Sequence, residues 1–179
     1  QLGSDTTWSK VHVGNSGGHA IKTDGTFWAW GFSYQGQSGT GDRVYYSSPV
    51  QIGSGTDWRT TAGSIAGGYR WSNALKTDGT LWVLGAQNPQ GQSGQNDRTA
   101  RSSPVQIPGT TWNWLGGGEK QQSAVKTDGT LWMWGHNIGG SLGHNQPSNA
   151  HRSSPIQIPG STWRTIHLGH YRSAATKTD

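Results

Sequence analysis

Acid–base or nucleophilic chemistry requires a carboxylate, imidazole or activated hydroxyl beside a second polar group, and this chain offers few places to assemble one. Glu119 is its only Glu, and Asp24, Asp78, Asp128 and Asp179 all fall in one recurring Lys-Thr-Asp phrase. Asp followed by Gly is a hairpin-turn pair whose side chain caps nearby backbone groups. Asp24-Gly25, Asp78-Gly79 and Asp128-Gly129 are therefore expected as turns, not as catalytic pairs. Ser is abundant, but no Gly-x-Ser-x-Gly elbow leads into a helix. The absence of Cys removes disulfides, thiolate ligands and Cys nucleophiles. His167 and His170 stand three apart, and His136 and His144 share a loop, yet no carboxylate stands beside them to complete the three or four ligands that zinc requires. Gly116-Gly117-Gly118 could cradle phosphate only if it opened a helix, and here it reads as a bend between strands. The expectation is no catalytic residue, no metal and no cofactor.

The elements that would position any site are set by repetition. KTDGTFWAWG from Lys22, KTDGTLWVLG from Lys76 and KTDGTLWMWG from Lys126 are followed by a last KTD from Lys177. A second phrase keeps step with the first: SSPVQIG from Ser47, SSPVQIP from Ser102 and SSPIQIP from Ser153, each followed by a Trp (Trp58, Trp112, Trp163), with Trp8 in the same slot. Gln1-Leu2-Gly3-Ser4 aligns with Gln51-Ile52-Gly53-Ser54, so the units are 1–50, 51–105, 106–156 and a partial 157–179 within a single segment 1–179. In the first unit, strands are expected at Trp8 to Val13, His19 to Lys22, Thr26 to Trp30 and Pro49 to Ile52. A repeat of about 50 residues built from short strands predicts a four-stranded propeller blade. The fold class is all-β, a β-propeller segment of about three and a half blades. A ring needs more blades, supplied by the same chain or by another copy.

Composition fits that reading. Only 30% of the 179 residues are aliphatic, aromatic or Cys, so the core must come from few large side chains, and eleven Trp provide them. Trp8, Trp28, Trp30, Trp58, Trp82, Trp112, Trp132, Trp134 and Trp163 recur at equivalent places and form the expected structural core. Twenty-nine Gly argue for many turns. The net charge of +5 comes from scattered Lys and Arg, whereas nucleic-acid binders gather cations into a patch, so nucleic acid is not an expected partner. No apolar run is long enough to enter a membrane.

These phrases resemble the regulator of chromosome condensation repeat family. The second unit carries the pattern as Gly68, Ala74-Leu75-Lys76, Asp78-Gly79, Trp82, Gly85 and Gly91-Gln92-Ser93-Gly94. The resemblance implies a ring of about seven blades. The near-identical wording of successive units is similar to repeats of bacterial surface proteins and phage virion proteins. Two other members suggest other readings: a guanine-nucleotide exchange factor, and a plant UV-B photoreceptor that Tyr69-Arg70-Trp71 faintly resembles.

The loops after the third strand, 32–46, 86–101 and 136–152, differ most between units, and variable loops on a constant scaffold are where recognition resides. Tyr34, Arg43, Tyr45, Tyr46, Arg98, Arg101, His136 and Arg152 are the candidate binding residues there. The expected function is a non-enzymatic scaffold or binding module of a surface-exposed or virion assembly, such as a fibre, collar or decoration component. It would recognise a protein or glycan; the competing reading is a soluble exchange-factor-like regulator, and a third is a polysaccharide hydrolase.

Overall fold

The computed structural model describes residues 4–15, 17–85 and 88–178. Gln1 to Gly3, Ser16, Ala86, Gln87 and Asp179 lie outside the described residues, and with them the first unit's opening, the start of the second loop and the last turn carboxylate.

Among the described residues, three four-stranded antiparallel sheets and one hairpin follow each other along the chain, each with its strands in sequence order. The first comprises β1 (Trp8–Gly14), β2 (Gly17–Lys22), β3 (Phe27–Gly31) and β4 (Tyr46–Gln51). The second comprises β5 (Ile65–Gly67), β6 (Ser72–Leu75), β7 (Leu81–Gly85) and β8 (Arg101–Ile107). The third holds β9 (Trp112–Gly117), β10 (Gln121–Lys126), β11 (Leu131–Gly135) and β12 (Arg152–Ile158). The hairpin is β13 (Trp163–Leu168) with β14 (Ser173–Lys177). This is the arrangement of successive β-propeller blades. Among the described residues no helix is long and apolar enough to cross a membrane.

The fourth strand of each blade begins earlier than its Pro suggests, at Tyr46, Arg101 and Arg152. Pro49, Pro104 and Pro155 sit inside these strands, which is permitted because each is the outermost of its sheet and can turn a missing donor outward. Residues preceding Pro favour extended backbone, which carries the strand upstream.

The Lys-Thr-Asp-Gly-Thr-x-Trp phrase is a wired turn. Asp24 Oδ1 accepts from the Thr26 N–H and hydroxyl (2.9 and 2.7 Å), and Thr26 Oγ1 accepts from Trp28 Nε1 (2.7 Å). The same relay runs Asp78–Thr80–Trp82 and Asp128–Thr130–Trp132. These bonds hold the three carboxyls below their usual range. Each preceding Lys lies over two indoles: Lys22 over Trp8 and Trp28, Lys76 over Trp58 and Trp82, Lys126 over Trp112 and Trp132. Each such cation–π contact contributes about 0.5–2 kcal/mol. In the first two blades Asp5 and Asp57 add ion pairs to the same Lys.

Blades meet through three matching apolar layers. Ile21, Phe27 and Ala29 of the first face Trp58, Ala74 and Leu84 of the second. Leu75, Leu81 and Val83 face Trp112, Ala124 and Trp134, and Val125, Leu131 and Met133 face Ile166 and Trp163. The N–H of each leading Trp crosses the gap to the turn glycine of the preceding blade: Trp58 to Gly25 O (3.1 Å), Trp112 to Gly79 O and Trp163 to Gly129 O (both 3.0 Å). At the innermost strands the approach is closer still. A Cβ on Gly14 would lie 2.7 Å from Gly68 O, one on Gly68 2.1 Å from Gly118 O, and one on Gly118 2.7 Å from Gly169 O. Val11, on a face of the first blade that no other described blade covers, is 62% exposed, whereas its equivalents Leu115 and Ile166, each covered by a preceding blade, are 4% and 1% exposed.

Two measurements check this packing. Gly68→Ala forces backbone apart and is expected to lower stability by about 3 kcal/mol, as overpacking does. Gly139→Ala, at positive φ but with open space around it, is expected to cost only about 1 kcal/mol of backbone strain. Thermal unfolding of both variants reads the difference. Independently, Asn at Asp24, Asp78 and Asp128 together is expected to flatten the acid limb of the stability profile. Carboxyls whose folded pKa is depressed add stability above their unfolded pKa near 4 and lose it as pH falls further.

Candidate functional site

The pairing register decides which loops share an end of the molecule. Gly14 pairs with Gly17, Gly17 with Gly31 and Gly31 with Tyr46. The β1–β2 turn and the long β3–β4 loop therefore emerge together, while the Asp-Gly turns occupy the opposite end. The glycine contacts hold the corresponding ends of the following blades alongside. The loop-bearing end thus collects the long loops of three blades and the short turns Tyr69-Arg70, Glu119-Lys120 and His170-Tyr171.

This end exposes aromatic side chains. Phe32 is 44% exposed, Tyr34 64%, Tyr45 56%, Tyr69 36% and Tyr171 43%. Phe32 stacks on Tyr45 with ring centroids 5.0 Å apart, and Tyr34 adjoins Phe32 at 6.4 Å. Arg43 is exposed on the same loop, and Arg70 lies over the Tyr69 ring at 5.0 Å. Aromatic rings and guanidinium groups are the side chains that dominate binding energy at interfaces.

The long loops are only partly free. In the first two, the Gly-Gln-Ser-Gly segments are buried, and the loops bond to the next blade: Gly41 N–H donates to Ser102 O, Asn96 N–H to Ser153 O, and Trp134 Nε1–H to Gln92 O. Two candidate binding residues are braces. Tyr46 donates its hydroxyl to Asp42 (2.7 Å), which raises the phenol's pKa and lowers the carboxyl's, and Arg101 pairs with Asp97 at the same offset (2.7 Å). His136 is buried, and Arg152 is half-buried at the start of β12, because the third loop folds over them. Tyr34, Arg43, Tyr45 and Arg98 are exposed. The rim thus brings Tyr34 and Tyr45 together around Phe32, with Arg43 exposed on the same loop.

The residues singled out from the sequence omit Phe32, which opens the first long loop, and Tyr69 and Tyr171, which stand outside the long loops. Their signal is available: Phe32 follows the last glycine of its strand, and the two residues after Gly68 and Gly169 lie where the units differ from one another, as the long loops do. Glu119 is also drawn into this end. Its carboxylate pairs with His170 Nδ1 and reaches Lys120 Nζ at 4.0 Å, and its carbonyl accepts from Tyr69 N–H (3.1 Å) and Trp71 Nε1 (3.3 Å). These contacts border an open recess of about 520 Å³ along the inner strands, lined by His12, Gly68, Tyr69, Glu119, Gly169 and His170. His167 and His170 do not converge on a ligand set, and among the described residues no three His, Asp or Glu gather closely enough to hold a metal ion.

His19 ties the first two blades beneath the rim. Its Nε2 donates to Ser38 O (3.3 Å), which requires Nδ1 to accept from the Ser72 hydroxyl (2.9 Å). Complete burial pushes its pKa down to about 4.

Residues 128–176 match the Regulator of chromosome condensation (RCC1) repeat model. No curated protein matches the chain significantly. Solved structures do. Prp20p from Saccharomyces cerevisiae, described with its binding to Gsp1p and histones, superposes with a TM-score of 0.80 at 18% identity over 97% of this chain and 44% of its own. The same yeast RCC1 bound to Kap60 gives 0.74 at 17% identity, covering 96% and 42%. Human WBSCR16 gives 0.60 at 16% identity, covering 100% and 60%. The chain spans less than two thirds of each of these structures, and at such identities the likeness establishes the fold.

One pH effect follows from His19. A base whose folded pKa lies below its unfolded value near 6.5 lends full stability above that value and loses it as pH falls towards 4. Up to about 3 kcal/mol is expected to disappear across that window. His19→Gln, unable to titrate, is expected to lose less, as chemical denaturation at a series of pH values reads directly.

Proposed function

Because the chain carries RCC1 repeats folded as part of a β-propeller, we propose that it is a non-enzymatic binding module whose loop-bearing end holds a protein or glycan. The observation that carries this is the gathering of Phe32, Tyr34, Tyr45, Tyr69 and Tyr171 at one end of the blades, at 36% exposure or more. Exposed aromatic clusters of this kind mark interaction surfaces. The opposite end offers Asp-Gly-Thr turns whose polar atoms are engaged in the Asp–Thr–Trp relay. The carboxylates available for catalysis are similarly committed, Glu119 to His170 and Lys120, and Asp24, Asp78 and Asp128 to their turns.

The setting we propose is a surface-exposed or virion assembly, supported by the near-identical wording of the repeats. Further blades, from the same chain or a second copy, would cover the first blade's outer face, where Val11 and Val13 are exposed. The exchange-factor reading is supported by the likeness to Prp20p, whose published description includes binding to Gsp1p.

The test is a photo-cross-linker placed at Tyr34 or Tyr45 and, as control, at Thr127 on the opposite end. Cross-links to a second polypeptide or glycan are expected from the rim positions. Cross-links from Thr127 alone would overturn the assignment. Replacing Phe32, Tyr34 and Tyr45 together by Ser is expected to weaken capture by about 100-fold, with stability changed by about 0.5 kcal/mol per site or less. Accelerated release of labelled nucleotide from a small GTPase would select the exchange-factor reading.

A further inference from the structure

The third long loop, residues 136–151, is organised around one buried amide. Asn137 is fully buried, and its Oδ1 accepts from Leu142 N–H (3.1 Å), its Nδ2 donates to Pro147 O (3.0 Å) and its carbonyl accepts from Asn149 N–H (2.8 Å). These bonds span most of the loop. The remaining group, the Asn137 N–H, donates to His151 Nδ1 at 3.0 Å. A backbone N–H can only donate, so this bond exists only while Nδ1 carries no proton. Protonation would place two donors face to face at the loop's centre.

The surroundings resist that protonation and leave it uncompensated. The His136 ring lies 4.4 Å from the His151 ring, and its Nδ1 is buried without a partner. Lys120 from the β9–β10 turn acts on His136, Arg98 from the second loop on His151, and Arg152 from β12 on His144, whose ring is also bonded to the Ala150 backbone. Residues 136–151 contain no Asp or Glu. Asp97, the only acid in the facing segment 88–100, is paired to Arg101, and Glu119 is paired to His170 and Lys120. Burial lowers the pKa of His136, His144 and His151 alike.

We propose that His151 is a proton-operated latch: unprotonated, it holds Asn137 and with it the 136–151 loop, and mild acid releases the loop while the third blade's sheet stays folded. The sheet can persist because β9, β10, β11 and β12 are joined by their own ladder. The loop belongs to the aromatic end, so its release would alter that surface in acidic surroundings, whichever partner the surface takes.

The test is hydrogen exchange of the Asn137 amide in the whole chain, expressed as protection relative to the Met133 amide of β11. His151 protonation is followed in parallel by its ring ¹⁵N shifts. Between about pH 7.5 and pH 5 the relative protection is expected to fall by about tenfold or more, beginning as the pH drops below the pKa of a freed His, about 6.5, and levelling off once His151 in the folded chain is protonated. His151→Leu, which removes the acceptor, is expected to show low protection at both pH values. His151→Asn, which cannot titrate, is expected to show no pH dependence, whatever its level. Constant protection in the natural chain, a fall that levels off with the protonation of another His instead, protection retained in His151→Leu, or a wild-type-like fall in His151→Asn would each overturn the latch.

Discussion

Adjacent blades approach so closely at the glycine ends of their innermost strands that no side-chain carbon fits there. Gly14, Gly68, Gly118 and Gly169 form a line in which added Cβ atoms would meet the next glycine's carbonyl at 2.1 to 2.7 Å. Because contact between blades is tightest at β1, β5, β9 and β13, the sheets fan outward from this line. The widening gap is filled by the largest side chains, which explains how a sequence with few apolar residues can bury a core at all. Trp112 and Trp134 are almost wholly enclosed, and Phe27 packs 4.8 Å from Trp58 across the first gap. Narrow inside and wide outside is the geometry of a propeller, and residue size sets it.

The same constraint fixes the polar parts. Once a Trp must stand at the outer end of each gap, its indole N–H and π faces need partners. The Thr hydroxyl, itself held by the turn Asp, takes the N–H of Trp28, Trp82 and Trp132, and the Lys ammonium lies over the faces. What resembles a charged motif in sequence is thus the support of an apolar wedge. Lysine, aspartate and threonine are consumed there, whereas at the other end of the blades aromatic rings are left in solvent.

The scaffold was legible because repetition exposes it: the Asp-Gly turns, the four-strand order and the stacked Trp all follow from phrases in step. The strand starts at Tyr46, Arg101 and Arg152 were less so, since an outermost strand tolerates Pro in a way that period and propensity do not reveal. The rim was legible only in part. Tyr46 and Arg101 look like hot spots until Asp42 and Asp97 are found four residues away, bonded to them. Tyr69 and Tyr171 are isolated in sequence, and only the register brings their turns to the end that carries Phe32. The burial of His136 depends on how the third loop folds over itself, which no local pattern encodes.

The claim on which the rest stands is that successive sheets are stacked face to face with their turn glycines bonded across the gaps. Its most direct measurement is hydrogen exchange at the backbone amides of Trp58, Trp112 and Trp163, which donate to Gly25, Gly79 and Gly129 of the preceding blades. The account predicts exchange as slow as that of ladder amides within a blade, such as Ala74 or Ala124. Exchange at the rate of exposed loop amides would contradict it.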